Sequence, residues 1–286
     1  MKYKNIISKN SQAVNRPPLK QALGIGYNGK NRKNRKGMKF MLPNLQKKLF
    51  DYVTLFDEQD EELYPQEITN CGAYRYLSEQ IPLLDCPDKV IEKTYYYRWW
   101  TLRKHWKKTP DGYILTEFHP DVNWAGPYNS INAAAGHHLR EARWLKDPQQ
   151  WIKDYILFWL DRKGDALSYS MWYASAVEDY LSLHPDSGFE GECLDKLISL
   201  YEERAQKHAH PCGLYWSQDG RDAMELSISG SGIRPTLNSY MYGDARALAR
   251  MAARQGRMDV SAKYAQKAED IRRKMDLLLW DGDSTK

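Results

Sequence analysis

From residue 44 onward, apolar positions recur at intervals of three and four residues. Leu45, Leu49, Tyr52, Val53 and Phe56 mark a first helix. The next stretch, up to Cys86, is mixed, with Pro65, Gly72 and Pro82 interrupting it. Helical spacing then predicts elements at about 88–107, 130–146, 148–163, 168–183, 189–208, 235–255 and 257–280. The last is the clearest, with Val260, Tyr264, Ala268, Ile271, Met275 and Leu278 on one stripe. In the first, Tyr96, Trp99, Trp100 and His105 form an aromatic stripe that reads as a buried face. Pro148, Gly164, Pro185, Gly188 and Gly256 sit in the short connections. Helices joined by short loops pack as antiparallel neighbours. No fixed-period repeat points to a regular solenoid. The expected fold class is therefore all-α, built of antiparallel helical hairpins.

Two loops break this rhythm, at 108–129 and 209–234. Loops beyond about 12–15 residues in a compact domain are usually functional. The first contains Asp111-Gly112 between Tyr113, Leu115 and the preceding helix, a pattern for a small hairpin. Both carry Trp, Asp, Gly and His, and the first also Asn. In a ring of hairpins they would gather at one end and line a common cavity.

Charge divides the chain. Residues 1–40 carry eleven Lys and Arg and no acid, so the remainder of a chain with net charge +5 stands at −6. The first 40 residues read as a disordered basic tail, and 41–286 as the folded domain. A mildly acidic domain gives no reason to expect nucleic acid as a partner; a basic-tailed nucleic-acid binder is the third-ranked reading. Cys71, Cys86, Cys193 and Cys212 are too scattered for a zinc framework and read as free thiols. No apolar run has transmembrane length, and the N-terminus has no apolar core of a signal peptide, so no membrane partner is expected. Compartment and oligomeric state are not set by the sequence. The ten Trp and twenty Tyr fit either core packing or sugar stacking.

The chemistry concentrates in HPCGLYWSQDGRDAMELSISGSGIRPTLNSYMYGDARALA, residues 210–249. Asp222-Ala223-Met224-Glu225-Leu226-Ser227, followed by Leu237-Asn238-Ser239-Tyr240 and Ala247-Leu248-Ala249, resembles the central motif of six-hairpin (α/α)6-barrel glycosidases. The group is that of trehalase, processing α-glucosidase and mannosylglycerate hydrolase. The resemblance covers about residues 86–286 and implies part of an (α/α)6 toroid acting on an oligosaccharide or glycoside by acid–base hydrolysis with inversion. It places the general acid at Glu225, where the family usually has Asp. A glycosidase acid must hold its proton near neutral pH, and Asp222 three residues earlier could supply the negative charge that raises its pKa. The structural alternative is that Asp222 and Glu225 are loop acids that cap a helix or pair with Arg221 or Arg234.

The same resemblance implies that the first loop binds the terminal sugar. Trp124 and Tyr128 suit ring stacking, and Asn129 suits hydroxyls through its donor and acceptor. The family's usual Trp-Asp pair is not present as such; Asp121 and Asn129 are its nearest substitutes. Candidate substrate contacts further include His138, Trp172, Trp216 and Arg234. Adjacent His137 and His138 point about 100° apart on a helix, so a metal is not expected, nor is a cofactor. No phosphate loop or Gly-x-Ser-x-Gly elbow appears. About seven main helices stand against the twelve of a complete barrel. The chain is therefore expected to be cut off at its C-terminus before the general base. The competing reading is a non-catalytic helical carbohydrate-binding or scaffold protein.

Overall fold

The computed structural model describes residues 42–147, 149–222, 230–280 and 282. The basic tail lies outside these. Nine α-helices occur among the described residues: α1 (Leu42–Asp57), α2 (Asn70–Gln80), α3 (Lys89–Lys104), α4 (Ala135–Ala142), α5 (Gln149–Leu160), α6 (Tyr173–Leu183), α7 (Ser187–His208), α8 (Pro235–Arg254) and α9 (Met258–Leu278). Two antiparallel ribbons complete the set. Strands β1 (Trp106–Thr109) and β2 (Gly112–Leu115) pair with Trp106 opposite Leu115; β3 (Trp216–Ser217) and β4 (Gly232–Ile233) pair with Trp216 opposite Ile233.

Local chemistry sets the boundaries. Asp88 caps α3 by accepting from the amides of Val90 and Ile91, and Arg103 and Lys104 lie in its last turn, where cations favour the helix dipole. Asp186 caps α7 through the Phe189 amide, with Lys207 and His208 at the far end. Pro235 opens α8, where its missing N–H costs nothing. Gly256, at φ +74°, turns the chain sharply from α8 into α9.

Helices α4, α6 and α8 lie side by side, and α5, α7 and α9 pack behind them, so the three hairpins form part of an α/α toroid. Alanines let the layers approach: Ala245, Ala247, Leu248 and Ala252 of α8 are fully buried. Gly136 of α4 meets Trp172 so closely that a Cβ there would lie 2.7 Å from the indole. Before the hairpins, α1–α3 make their own layer around Leu49, Val53, Leu77, Tyr96 and Trp100. No helix among the described residues is long and apolar enough to cross a membrane.

Three elements depart from expectation. The mixed stretch before residue 86 contains α2, whose buried contribution is only Asn70, Ala73 and Leu77. The helix expected over 130–146 begins at Ala135, after two short 3-10 turns at Pro127–Asn129 and Asn132–Ala134. That expected from 168 begins at Tyr173, which makes the α5–α6 connection longer than its Gly164 punctuation suggested.

Candidate active site

Three connections meet over one cavity of about 260 Å³: the loop after β2, the α5–α6 connection and the stretch preceding α8. The first loop is held by its own side chains. Asn129 donates from Nδ2 to the carbonyls of Phe118 (2.7 Å) and Pro120 (2.9 Å) and accepts from the Val122 amide (3.0 Å). Tyr128 and Asn129 both have left-handed backbone, φ +57° and +67°. The Tyr128 hydroxyl consequently turns away, donating to Asp111 at 2.7 Å. On this braced loop Trp124 lines the cavity, 56% exposed, its ring edge-on to Phe118.

The facing wall is positioned from beneath. Asn132 donates to the carbonyls of Ala166 (3.0 Å) and Tyr169 (2.8 Å) and accepts from the Tyr169 amide (3.0 Å). Arg204 of α7 reaches the same two carbonyls, at 2.8 Å for Tyr169. Burial lowers its guanidinium pKa to about 10, still charged at neutral pH. These bonds present Asp165, Ser168 and Tyr169 to the cavity. Asp165 is exposed. Arg221 closes the ring: its carbonyl accepts from the Ser170 amide (2.8 Å), its Nη1 donates to Ser168 Oγ (3.1 Å), and its guanidinium lies 5.3 Å from the Tyr169 ring centre. Among the described residues no carboxylate pairs with Arg221. Ser130, also on the cavity wall, has a buried hydroxyl oxygen without a hydrogen-bond partner.

Immediately behind this wall, α6 starts without a side-chain cap of its own. Asp244 of α8 supplies one. Its carboxylate accepts from the amides of Tyr173 (3.0 Å) and Ser175 (2.9 Å), from the Ser175 hydroxyl (2.9 Å) and from the Ala174 amide. Burial nevertheless raises its pKa to about 6, because every partner is neutral.

The sequence-derived candidates separate into groups. Among the described candidates only Trp124 lines the cavity. Tyr128 and Asn129 are adjacent but engaged with the loop itself. His138 bonds the Tyr155 hydroxyl at 2.9 Å between α4 and α5, and burial pushes its pKa down to about 3. Trp172 is buried on Gly136, with the Arg140 guanidinium 4.5 Å from its ring centre and His137 edge-on. Trp216 is half-exposed on β3, its carbonyl bonded by His208. Arg234 is buried: its Nε lies 2.9 Å from Asp222 Oδ2, and its Nη1 bonds Asp219 and, at 2.6 Å, the Gly230 carbonyl. Asp222 has no exposed side-chain surface. Glu225 lies outside the described residues.

Asp165, Ser168, Tyr169 and Asn132 were not singled out from the sequence, and Arg221 was expected only as an ion-pair partner of the loop acids. Their signal was present as Gly164-Asp165 followed by Ser168 and Ser170, but those residues fell inside or beside an expected helix. No group of three or more His, Cys, Asp or Glu among the described residues is arranged to hold a metal ion.

The mannosylglycerate hydrolase MGH1-like glycoside hydrolase domain family matches residues 127–285. A solved structure described as a sialidase superposes with a TM-score of 0.79 at 36% identity, over 82% of this chain and 23% of its own. The chain thus spans about a quarter of that protein's length. Among curated proteins, none matches this chain.

Proposed function

Because the chain belongs to the mannosylglycerate hydrolase MGH1-like glycoside hydrolase domain family, we propose that the cavity beside Trp124 receives a sugar unit and that the protein acts on the adjoining glycosidic bond by acid–base hydrolysis. The observation that carries this reading is the convergence of both long loops on one polar cavity with an exposed indole at its rim. Trp124 offers a flat face for the C–H side of a pyranose. Arg221, Asp165 and the unpartnered Ser130 hydroxyl supply donors and acceptors for its hydroxyl groups.

Glu225 is assigned as proton donor by the motif resemblance. Its place in the chain suits the role, four residues after Arg221, which lines the cavity. Asp222, enclosed and paired with Arg234, acts through its neighbours rather than on substrate. Arg234 bonds groups on both sides of residues 223–229 and so serves as a positioning residue. An inverting course follows from the same resemblance and requires a second carboxylate to activate water.

Hydrolysis of a panel of glycosides by the full chain tests the reading, with the product anomer followed by NMR. Glu225→Gln is expected to lower kcat by about 10²–10⁴-fold. Trp124→Ala is expected to raise KM by about tenfold, the scale of one lost aromatic stacking contact. An unchanged kcat in Glu225→Gln removes the acid assignment. Glycan binding without turnover, indifferent to Glu225→Gln, favours the non-catalytic carbohydrate-binding alternative, which the same loops would serve.

A further inference from the structure

Trp124 has a partner that the sugar reading leaves unused. Its ring meets Phe118 edge-on with centroids 4.9 Å apart. Phe118 lines a second and larger cavity, of about 430 Å³, between the base of the β1–β2 hairpin and the start of the same loop. Trp124 belongs to the first cavity wall and Phe118 to the second, so the aromatic pair is the partition between them.

The second cavity mixes donors and acceptors. Lys107 and Lys108 line it with little to hold them: Lys107 makes a 3.4 Å bond to the Tyr128 carbonyl, and Lys108 has its ammonium 5.8 Å from the Tyr113 ring centre. Glu67 and Asp121 are exposed acceptors on the same wall. His119 lines it as well, and its Nε2 is buried without a hydrogen-bond partner. Burial, with the neighbouring His105, lowers the His119 pKa to about 4, so this ring is neutral near pH 7. Lys104 lines it too but is paired with Asp60, so the two remaining cations face two carboxylates and give no net attraction for an anion. The polar density excludes a purely apolar occupant. Interleaved donors and acceptors beside an aromatic ring match a polyhydroxyl ligand.

We propose that this second cavity is a further sugar subsite, so that the ligand is an oligosaccharide spanning both cavities across the Trp124–Phe118 pair. The inference rests on the reading of the first cavity as a sugar site.

Calorimetric titration of the full chain with gluco-, manno- and galacto-oligosaccharides of one to four units tests it. In whichever series binds, affinity is expected to rise by about tenfold or more between the shortest ligand bound and the tetrasaccharide. Phe118→Ala is expected to abolish that increment while leaving the shortest ligand within about twofold. Lys108→Gln combined with Glu67→Gln, at exposed positions that leave the core intact, should do the same if Phe118→Ala disturbs folding. Trp124→Ala should weaken all lengths. Affinity independent of length, or second-cavity variants (Phe118→Ala, or Lys108→Gln with Glu67→Gln) that weaken short and long ligands equally, overturns the second subsite and leaves the first standing. Absence of binding by every sugar overturns the reading of the first cavity and this inference with it.

Discussion

Two buried carboxylates, one in each half of the molecule, meet opposite fates. Glu92, in the α1–α3 layer, accepts from the ammonium groups of Lys48 (2.7 Å) and Lys89 (3.2 Å), the Tyr52 hydroxyl and the Cys86 amide. Burial alone would raise its pKa, but these partners, Lys48 foremost, carry it down to about 2. Asp244, in the hairpin layer, accepts from as many donor groups, all neutral, and its pKa rises to about 6. The number of bonds is not what decides ionisation; the charge of the donors is. Glu92 thereby keeps a fixed charge in the first layer at neutral pH. The second keeps a proton-sensitive group directly behind the cavity wall.

The largest test of this contrast is Lys48→Met. It removes the better-buried cation and leaves Glu92 enclosed, so urea unfolding should show a loss of about 3 kcal/mol. A loss below about 1 kcal/mol would mean the pair does not hold that layer. Asp244→Ala should cost about 2 kcal/mol by stranding the first amides of α6. It should also weaken sugar binding, because Ser168 and Tyr169 directly precede that helix start; unaltered affinity would disconnect the cap from the site.

The pH dependences should slope in opposite directions. Glu92 has a folded pKa below its ordinary value of 4.5, so its contribution is present above pH 4.5 and is lost as pH falls toward 2. Asp244 has a folded pKa above its ordinary 3.8, so its contribution is present below pH 3.8 and is lost as pH rises through about 6. Unfolding free energies of the wild type minus Asp244→Asn should therefore decline between pH 4 and 6.5; a flat difference would place the Asp244 pKa elsewhere. The smallest effect belongs to Lys89→Ala. Its side chain is 64% exposed, and removal should change stability by at most about 0.5 kcal/mol.

Much of the helical layer was legible because burial imposes a period. The stripe of α9 shows both the strength and the limit: Tyr264, Ala268 and Ile271 are buried, while Leu278 at its end is half-exposed. The pattern failed for α2, whose three buried residues include an asparagine bonded by Arg103, so no apolar stripe announces it. The location of the cavity was foreshadowed by loop length and composition. Its lining was not. Tyr128 and Asn129 have the residue types of a sugar site, but consecutive left-handed backbone aims both into their own loop. Arg221 and Asn132 face the cavity because of hydrogen bonds to residues 166–170, a relation between distant segments that local periodicity does not carry.

The borrowed cap of α6 has a consequence for assembly. Its amides wait for a carboxylate that lies 71 residues further along the chain from Tyr173. In a solenoid each repeat can close upon its neighbour as it is made. Here the first turn of one hairpin is completed only when the next hairpin docks, which raises contact order and ties the two into a single cooperative unit. Hydrogen exchange at the amides of Tyr173 and Ser175 should accordingly report the opening of α8 rather than the fraying of α6.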